Sequence, residues 1–262
     1  CIYFGSIDYM YYWFTENNVR VVFHNPSWIN KINDNFDKAL RNINFASTYM
    51  SNNSLIATYL RIDIPILGFR DDYILYTDTD VLFMKTPKFD NKPAYYINGA
   101  ESDESVCGFQ TSVPVTNKFL DKLYNMKNSR YIKYGNAGIM YMNLNNLRNV
   151  YESFVGFTFS DINLQKGLHH GVYGPADQGA YNEYFQSAFE CMQYPLFNWK
   201  PYWVENKDAQ IIHFHGPKIK DYVSYLKHGI VLNYNYKSLL KRCIDCNRYV
   251  EYWLEINKTI IY

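Results

Sequence analysis

Apolar residues along the chain fall into short clusters whose spacing alternates between strand-like and helix-like. From the N-terminus, Cys1 to Ser6 reads as strand or turn, Asp8 to Asn17 as a short aromatic helix, and Val19 to Phe23 as a strand. Lys31 to Phe45 reads as polar helix and loop. Asn52 or Ser54 is expected to cap a helix through Leu55, Tyr59 and Leu60 that Pro65 limits. Strands follow at Tyr73 to Thr77 and Ala94 to Ile97, a helix at Thr116 to Met126, and an apolar strand at Gly138 to Leu144. The last third holds a helix at Pro175 to Phe185, short strands at Tyr194 to Trp199 and Gln210 to Phe214, and a helix from Ser238 to Asn257. Strand and helix alternating in this way predict an α/β fold: a mixed, mostly parallel sheet flanked by helices, with ligands at the carboxyl ends of its strands. A chain of 262 residues suits one large domain. It is expected to occupy residues 1–232, with residues 233–262 as a C-terminal helical extension packed on it.

Composition narrows the classes. Hydrophobic residues make up 48% and charged residues 19%, with a formal net charge of +1, which excludes a disordered chain and any broad field for nucleic acid or an anionic membrane. No stretch approaches the roughly 18 uninterrupted apolar residues of a membrane span. The 27 Tyr and 17 Phe suit a packed core as well as a sugar-stacking surface, so their abundance alone does not make a lectin. Five cysteines, an odd number, point to reduced thiols and favour a cytoplasmic over a lumenal setting. Cys243 and Cys246 share a helical face, where core packing outweighs redox or zinc chemistry. The triplets Asn52-Asn53-Ser54 and Asn257-Lys258-Thr259 fit the glycosylation pattern, which an Asn-rich chain produces by chance. Opening at Cys1 without an initiator Met, the chain is expected to be a piece of something longer.

The candidate chemistry starts at Tyr73-Ile74-Leu75-Tyr76-Thr77-Asp78-Thr79-Asp80-Val81-Leu82-Phe83. Side chains two apart in an extended segment share a face, so Asp78 and Asp80 can converge on one hard divalent cation. The bland alternative is an acidic turn. Unpaired charge wedged between apolar flanks is costly, which favours a cationic partner. A second cluster, Gln210-Ile211-Ile212-His213-Phe214-His215-Gly216-Pro217-Lys218, is an apolar strand breaking at a Gly-Pro turn. His213 and His215 point the same way, Gly216 permits close backbone approach, and Lys218 offers a positive charge to phosphate. Taken alone the histidines could be a hydrogen-bonded core pair. Joined to Asp78 and Asp80, His213 completes a mixed oxygen and nitrogen set that suits Mn²⁺, with Mg²⁺ as the alternative.

Five motifs in order carry a family resemblance: Thr58-Tyr59-Leu60-Arg61 to Ile64-Pro65; Leu75 to Leu82; Asn136-Ala137-Gly138-Ile139-Met140 to Asn143-Leu144; Asp177-Gln178-Gly179 to Asn182; and His213 to Lys218. Together, over residues 50–220, they resemble glycosyltransferase family 8, retaining enzymes of the GT-A (Rossmann-like) fold related to glycogenin and lipopolysaccharide galactosyltransferases. The resemblance implies metal-dependent transfer of a hexose from a UDP-sugar, UDP-glucose or UDP-galactose, to a hydroxyl on a glycan, lipid-linked sugar or protein. It makes Asp78, Asp80 and His213 the metal ligands. Thr79, Arg61, Gly216 and Lys218 join the acids in holding the donor nucleotide-sugar. Asn136 contacts the donor sugar, and Asp177 and Gln178 lie beneath the anomeric carbon. One departure is that many members place the lysine three residues after the glycine, whereas Lys218 is two after Gly216, with Lys220 as a substitute.

An amide is a poor nucleophile, so Gln178 at that position favours same-face attack over a covalent intermediate. The structural alternatives are a surface ion pair of Arg61 with Asp63 or Asp72, a turn at Asn136 to Gly138, and a helix start at Asp177. His169-His170 reads as a solvated polar loop or one near the acceptor. Phe197-Asn198-Trp199-Lys200-Pro201-Tyr202-Trp203 reads equally as an acceptor surface or a packed extension of the sheet. The resemblance weakens at the N-terminus, where only Asp8 and Tyr11 offer themselves to a uracil. Two other classes compete: a non-catalytic carbohydrate-binding or nucleotide-sugar-binding domain, and a sugar nucleotidyltransferase. The second should carry a Gly-rich basic loop at its first strand, which Gly5-Ser6 followed by Ile-Asp is not.

Overall fold

A computed structural model describes residues 1–4, 7, 9–37, 51–89, 92–100, 135–174, 176–185, 190–191, 197–202, 207–241 and 247–260. The helix expected at Thr116 to Met126, the start of the strand at Tyr194, and residues Asp8, Cys107, Trp203, Cys243 and Cys246 lie outside this set. The chain divides into two compact units. One comprises Cys1–Ile74, Pro93–Tyr96 and Tyr141–Phe189; the other comprises Leu75–Lys92, Ile97–Met140 and Glu190–Tyr262. None of the described helices is long and apolar enough to cross a membrane.

The first unit opens with strands β1 (Ile2–Tyr3) and β2 (Val22–Phe23), paired in parallel around helix α1 (Tyr9–Glu16). Helix α2 (Ile29–Asn33) precedes α3 (Asn52–Tyr59), whose cap is Ser51 and neither Asn52 nor Ser54: the Ser51 hydroxyl accepts from Ser54 N at 3.1 Å. Pro65 does not end the helical path. The chain tightens to a 3₁₀ helix at Leu60–Ile66 that contains Pro65, where a shifted hydrogen-bond pattern tolerates its missing N–H.

Helix α4 (Leu144–Thr158) has no counterpart among the elements expected from the sequence, and it begins at Leu144, where the expected strand ended. Asn143 is instead its cap, accepting from Asn146 N, and Leu144, Leu147, Tyr151, Phe154 and Thr158 form the buried stripe. Trp28 stacks on Phe159 with ring centres 5.0 Å apart, and the buried Asp63 accepts from Trp28 Nε1 and Tyr151 and bonds His24 Nε2. Helices α5 (Asp161–Gln165) and α6 (Ala176–Tyr184) complete this unit.

Strands β3 (Tyr73–Thr77), β5 (Tyr96–Ala100), β6 (Gly135–Asn143) and β7 (Glu190–Cys191) form a sheet ordered β3-β6-β5-β7, with β5 and β7 parallel. Bonds from Asp78 N to Gly138 O and from Leu144 N to Asp72 O run β6 against β3. In the second unit β4 (Val81–Phe83) pairs antiparallel with β8 (Ile211–His213). Leu82, Trp199, Ile212 and Phe214 share a core with Tyr222, Leu240, Tyr249 and Val250. Tyr222 belongs to α7 (Ile219–His228) and Leu240 to α8 (Lys237–Lys241). Tyr249 and Val250 belong to α9 (Asn247–Ile260). The helix expected over Ser238 to Asn257 is thus represented by α8 and α9, with 242–246 outside the described residues.

Candidate metal centre

Two short strands bring the site together. In the β4–β8 ladder Val81 faces His213, and Phe214 N donates to Asp80 O at 2.9 Å, which carries residues more than 130 positions apart onto one rim. On β8, Ile212 and Phe214 point into the core, so His213 is turned to the opposite face. Asp78 leaves β3 with its N–H donated to Gly138 O at 2.7 Å, and the chain bends through the exposed Thr79 into Asp80. The acids therefore meet at a bend and not along an extended strand.

One ligand atom each from Asp78, Asp80 and His213 lies within 4.8 Å of the others. Two ligands at 2.0–2.6 Å from one cation stand at most about 4–5 Å apart, so the spacing fits a divalent ion. His215 stacks edge-on to His213 with ring centres 5.4 Å apart, but is not one of the three.

The surroundings tune this trio. Tyr76 OH donates to Asp78 Oδ1 at 2.7 Å. Asp80 Oδ1 lies 3.3 Å from His213 Nε2, and Asp80 Oδ2 receives Lys218 Nζ at 2.5 Å. Burial by itself would raise the Asp80 carboxyl, but the hydrogen bonds and charges of Lys218 and of His213 in its protonated, metal-free form outweigh it and hold the group well below the usual carboxylate range. Asp80 is therefore a stable anion, as a metal ligand must be.

Beneath the trio lies Gly138. A Cβ there would stand 2.5 Å from His213 Cε1 and 2.9 Å from both Asp78 Oδ2 and Asn136 Oδ1, so a side chain would fill the cradle. Asn136 is buried and accepts from Gly138 N at 2.9 Å, which shapes this close approach. Gly216 is required for a different reason than space. Its φ of +84° belongs to the left-handed region, whereas an added Cβ would make only ordinary contacts at 3.8–3.9 Å. The turn it makes delivers Lys218 to the N-cap of α7, where Lys218 N donates to the buried Asp221 at 2.8 Å and the ammonium remains half exposed.

The aromatic segment before β8 is packed. Phe197, Asn198, Trp199, Lys200 and Tyr202 are all buried, which removes them as an open acceptor surface. Sequence reasoning missed the role of Asn198, whose amide oxygen accepts from His213 Nδ1 at 2.9 Å.

The other predicted residues gather in the first unit. Arg61 is not a surface residue: it is buried, its Nε donates to Thr58 O at 3.1 Å, and the same nitrogen lies 2.7 Å from Asp177 Oδ2. Asp177 does start a helix, sitting in the first turn of α6 where its charge suits the dipole, but it is also 98% buried against that guanidinium. Burial raises the nearby Tyr59 phenol well above its ordinary value, and the Asp177 charge adds to that. Gln178 is half-buried beside it. Gly179 has no room for a side chain, since a Cβ would fall 2.1 Å from Gly174 O. Of the His169-His170 pair, His169 is half-buried and His170 is not solvated: it is buried and its Nδ1 meets Glu183 at 2.7 Å. The Gly167 to Gly174 turns, with left-handed Gly167 and Gly171, fold it inward.

No protein-family model matches the chain, and no curated protein does. Among solved structures it is similar to galactosyltransferase LgtC, crystallised with donor and acceptor sugar analogs, at 15% identity and a TM-score of 0.49 over 86% of this chain and 74% of that one. It is similar to mouse xyloside xylosyltransferase 1 at 14% identity and a TM-score of 0.43, covering 76% and 77% of the two chains. For the glycosyltransferase GlyE of Streptococcus pneumoniae TIGR4 the values are 14% and 0.44, over 100% of this chain and 64% of that one.

Proposed function

We propose that the chain is a metal-dependent glycosyltransferase of the GT-A type that moves a hexose from a UDP-sugar to a hydroxyl acceptor with retention of anomeric configuration. The observation that carries the reading is the convergence of Asp78, Asp80 and His213 beside Lys218, over a glycine that leaves the cradle open. Two carboxylates and an imidazole suit Mn²⁺ or Mg²⁺, and the neighbouring lysine suits the diphosphate that such an ion would accompany. When bound, the ion would supply positive charge where the leaving diphosphate gathers negative charge.

The chain's own residues account for the rest. Lys218, half exposed and on a flexible stem, neutralises leaving-group charge. Asn136, Arg61, Asp177 and Gln178 orient the donor and its sugar, as the family resemblance implies. Same-face attack is favoured because Gln178, at the family position nearest the nucleophile's role, is an amide, and its neighbour Asp177 is paired with Arg61 at 2.7 Å. The acceptor's proton then passes to the departing phosphate oxygen.

The test is release of UDP from a panel of UDP-sugars with and without Mn²⁺, comparing the wild-type chain with Asp80→Ala. Mn²⁺-dependent release from one donor, absent in the variant, is the expected result. Donor binding without release points to a binding domain, and consumption of UTP with a sugar phosphate points to a nucleotidyltransferase.

A further inference from the structure

We propose that Asn198 is the positioning residue of the metal centre, selecting the tautomer and orientation in which His213 acts as a ligand; the proposal rests on the metal-dependent reading above. A neutral imidazole carries one N–H, and a ring that ligates through Nε2 must keep its proton on Nδ1. His213 is buried, so that proton needs a protein acceptor, and Asn198 Oδ1 stands 2.9 Å away. The acceptor is as fixed as the ring. Asn198 is 99% buried, and the residue after it is laced to β8: Trp199 N donates to Ile211 O at 3.1 Å, and His213 N donates to Trp199 O at 2.8 Å. One backbone ladder thus sets both ends of the side-chain bond, leaving Nε2 aimed at Asp80 Oδ1, 3.3 Å away.

Two Asn198 variants separate this role from packing. Asn198→Leu keeps the branched shape and the number of side-chain heavy atoms, though in a larger volume, and removes the acceptor. Asn198→Asp keeps an acceptor oxygen at the same place and makes the carboxylate–histidine–metal arrangement common at metal sites. Mn²⁺ binding to the full chain is read from the loss of the free-ion EPR signal, and ligation by the ring from the ¹⁴N coupling in pulsed EPR. The leucine variant is expected to bind Mn²⁺ about 10–100-fold more weakly, with the ¹⁴N coupling weakened or lost, and the aspartate variant within about threefold of wild type or tighter.

Wild-type affinity and coupling in Asn198→Leu, with binding abolished by Asp80→Ala, would overturn the role of Asn198 while leaving the metal centre standing. Equal Mn²⁺ affinity in wild type and Asp80→Ala would overturn both. If the leucine variant does not fold, the aspartate variant decides alone: retained affinity supports the role, and a loss beyond about tenfold refutes it.

Discussion

Replacing Gly138 with alanine probes the centre with a single methyl group. The new Cβ would sit 2.5 Å from His213 Cε1, against an optimum of about 3.5–4.0 Å, an overlap of about 1 Å. It would also press on Asp78 Oδ2 and Asn136 Oδ1 at 2.9 Å. His213 has little room to yield, since its ring is bonded to the buried Asn198 and its strand lies between β4 and Trp199. Relief therefore moves ligands apart by several tenths of an ångström or more, where metal–ligand distances tolerate about 0.2 Å. Overpacking of this kind costs about 1–3 kcal/mol, which a domain of this size withstands. Loss of the ligand geometry should weaken Mn²⁺ binding more than about 100-fold, equivalent to about 2.8 kcal/mol.

The assay pairs EPR titration of Mn²⁺ with a thermal melt in EDTA. Gly156→Ala is the control, because an added Cβ there, exposed in the last turn of α4, meets nothing within 4 Å. It should leave Mn²⁺ binding unchanged and add at most about 0.5 kcal/mol of helix stability, less than the same change mid-helix. A Gly138→Ala protein that is folded and binds Mn²⁺ within about threefold of wild type would refute the account of this glycine as the floor of the site, since the predicted change is about 100-fold.

Lys218→Met removes the ammonium that occupies Asp80. The pair is half exposed and worth about 0–1 kcal/mol, so Mn²⁺ alone should bind at most a few-fold tighter while UDP in the presence of Mn²⁺ binds more weakly, both readable by titration calorimetry. Asp63→Ala should lower stability by about 3–5 kcal/mol, measured by urea unfolding, because it strands the donors of Trp28 and Tyr151 and the His24 ring around a fully buried site. Burial holds the His170 pKa below its ordinary value despite the opposing pull of Glu183. The unfolded chain therefore takes up this proton first as pH falls below about 6.5, so His170 erodes stability from there downward, and His170→Gln should flatten the unfolding free energy against pH in that range.

What the sequence revealed and what it hid follow from the range of the forces involved. The convergence of Asp78, Asp80, His213 and Lys218 was legible because charge beside apolar strands demands a partner and because the break at Gly216-Pro217 is a local signal, whereas the bend that brings the two acids together was not, the sequence there reading as an extended segment. Helix α4 was hidden by asparagines that are poor in a helix interior yet good at its start, so one residue, Asn143, reversed the meaning of its neighbours. The partners were the hardest to see. Asn198 and His213, or Arg61 and Asp177, meet across 15 and 116 positions by strand pairing and helix packing, and nothing in an isolated Asn or Arg names the group it will bond. His170 shows the same limit from the other side: glycines on both flanks suggested a solvated loop, but left-handed turns at Gly167 and Gly171 fold it onto Glu183 and bury it. Residues that must be charged and near a strand end announce themselves through local cost, whereas residues that orient them acquire their role only when the ladder closes. The orienting residues, Asn198 and Gly138 above all, are therefore where mutation discriminates best between a metal centre and a mere cluster of acids.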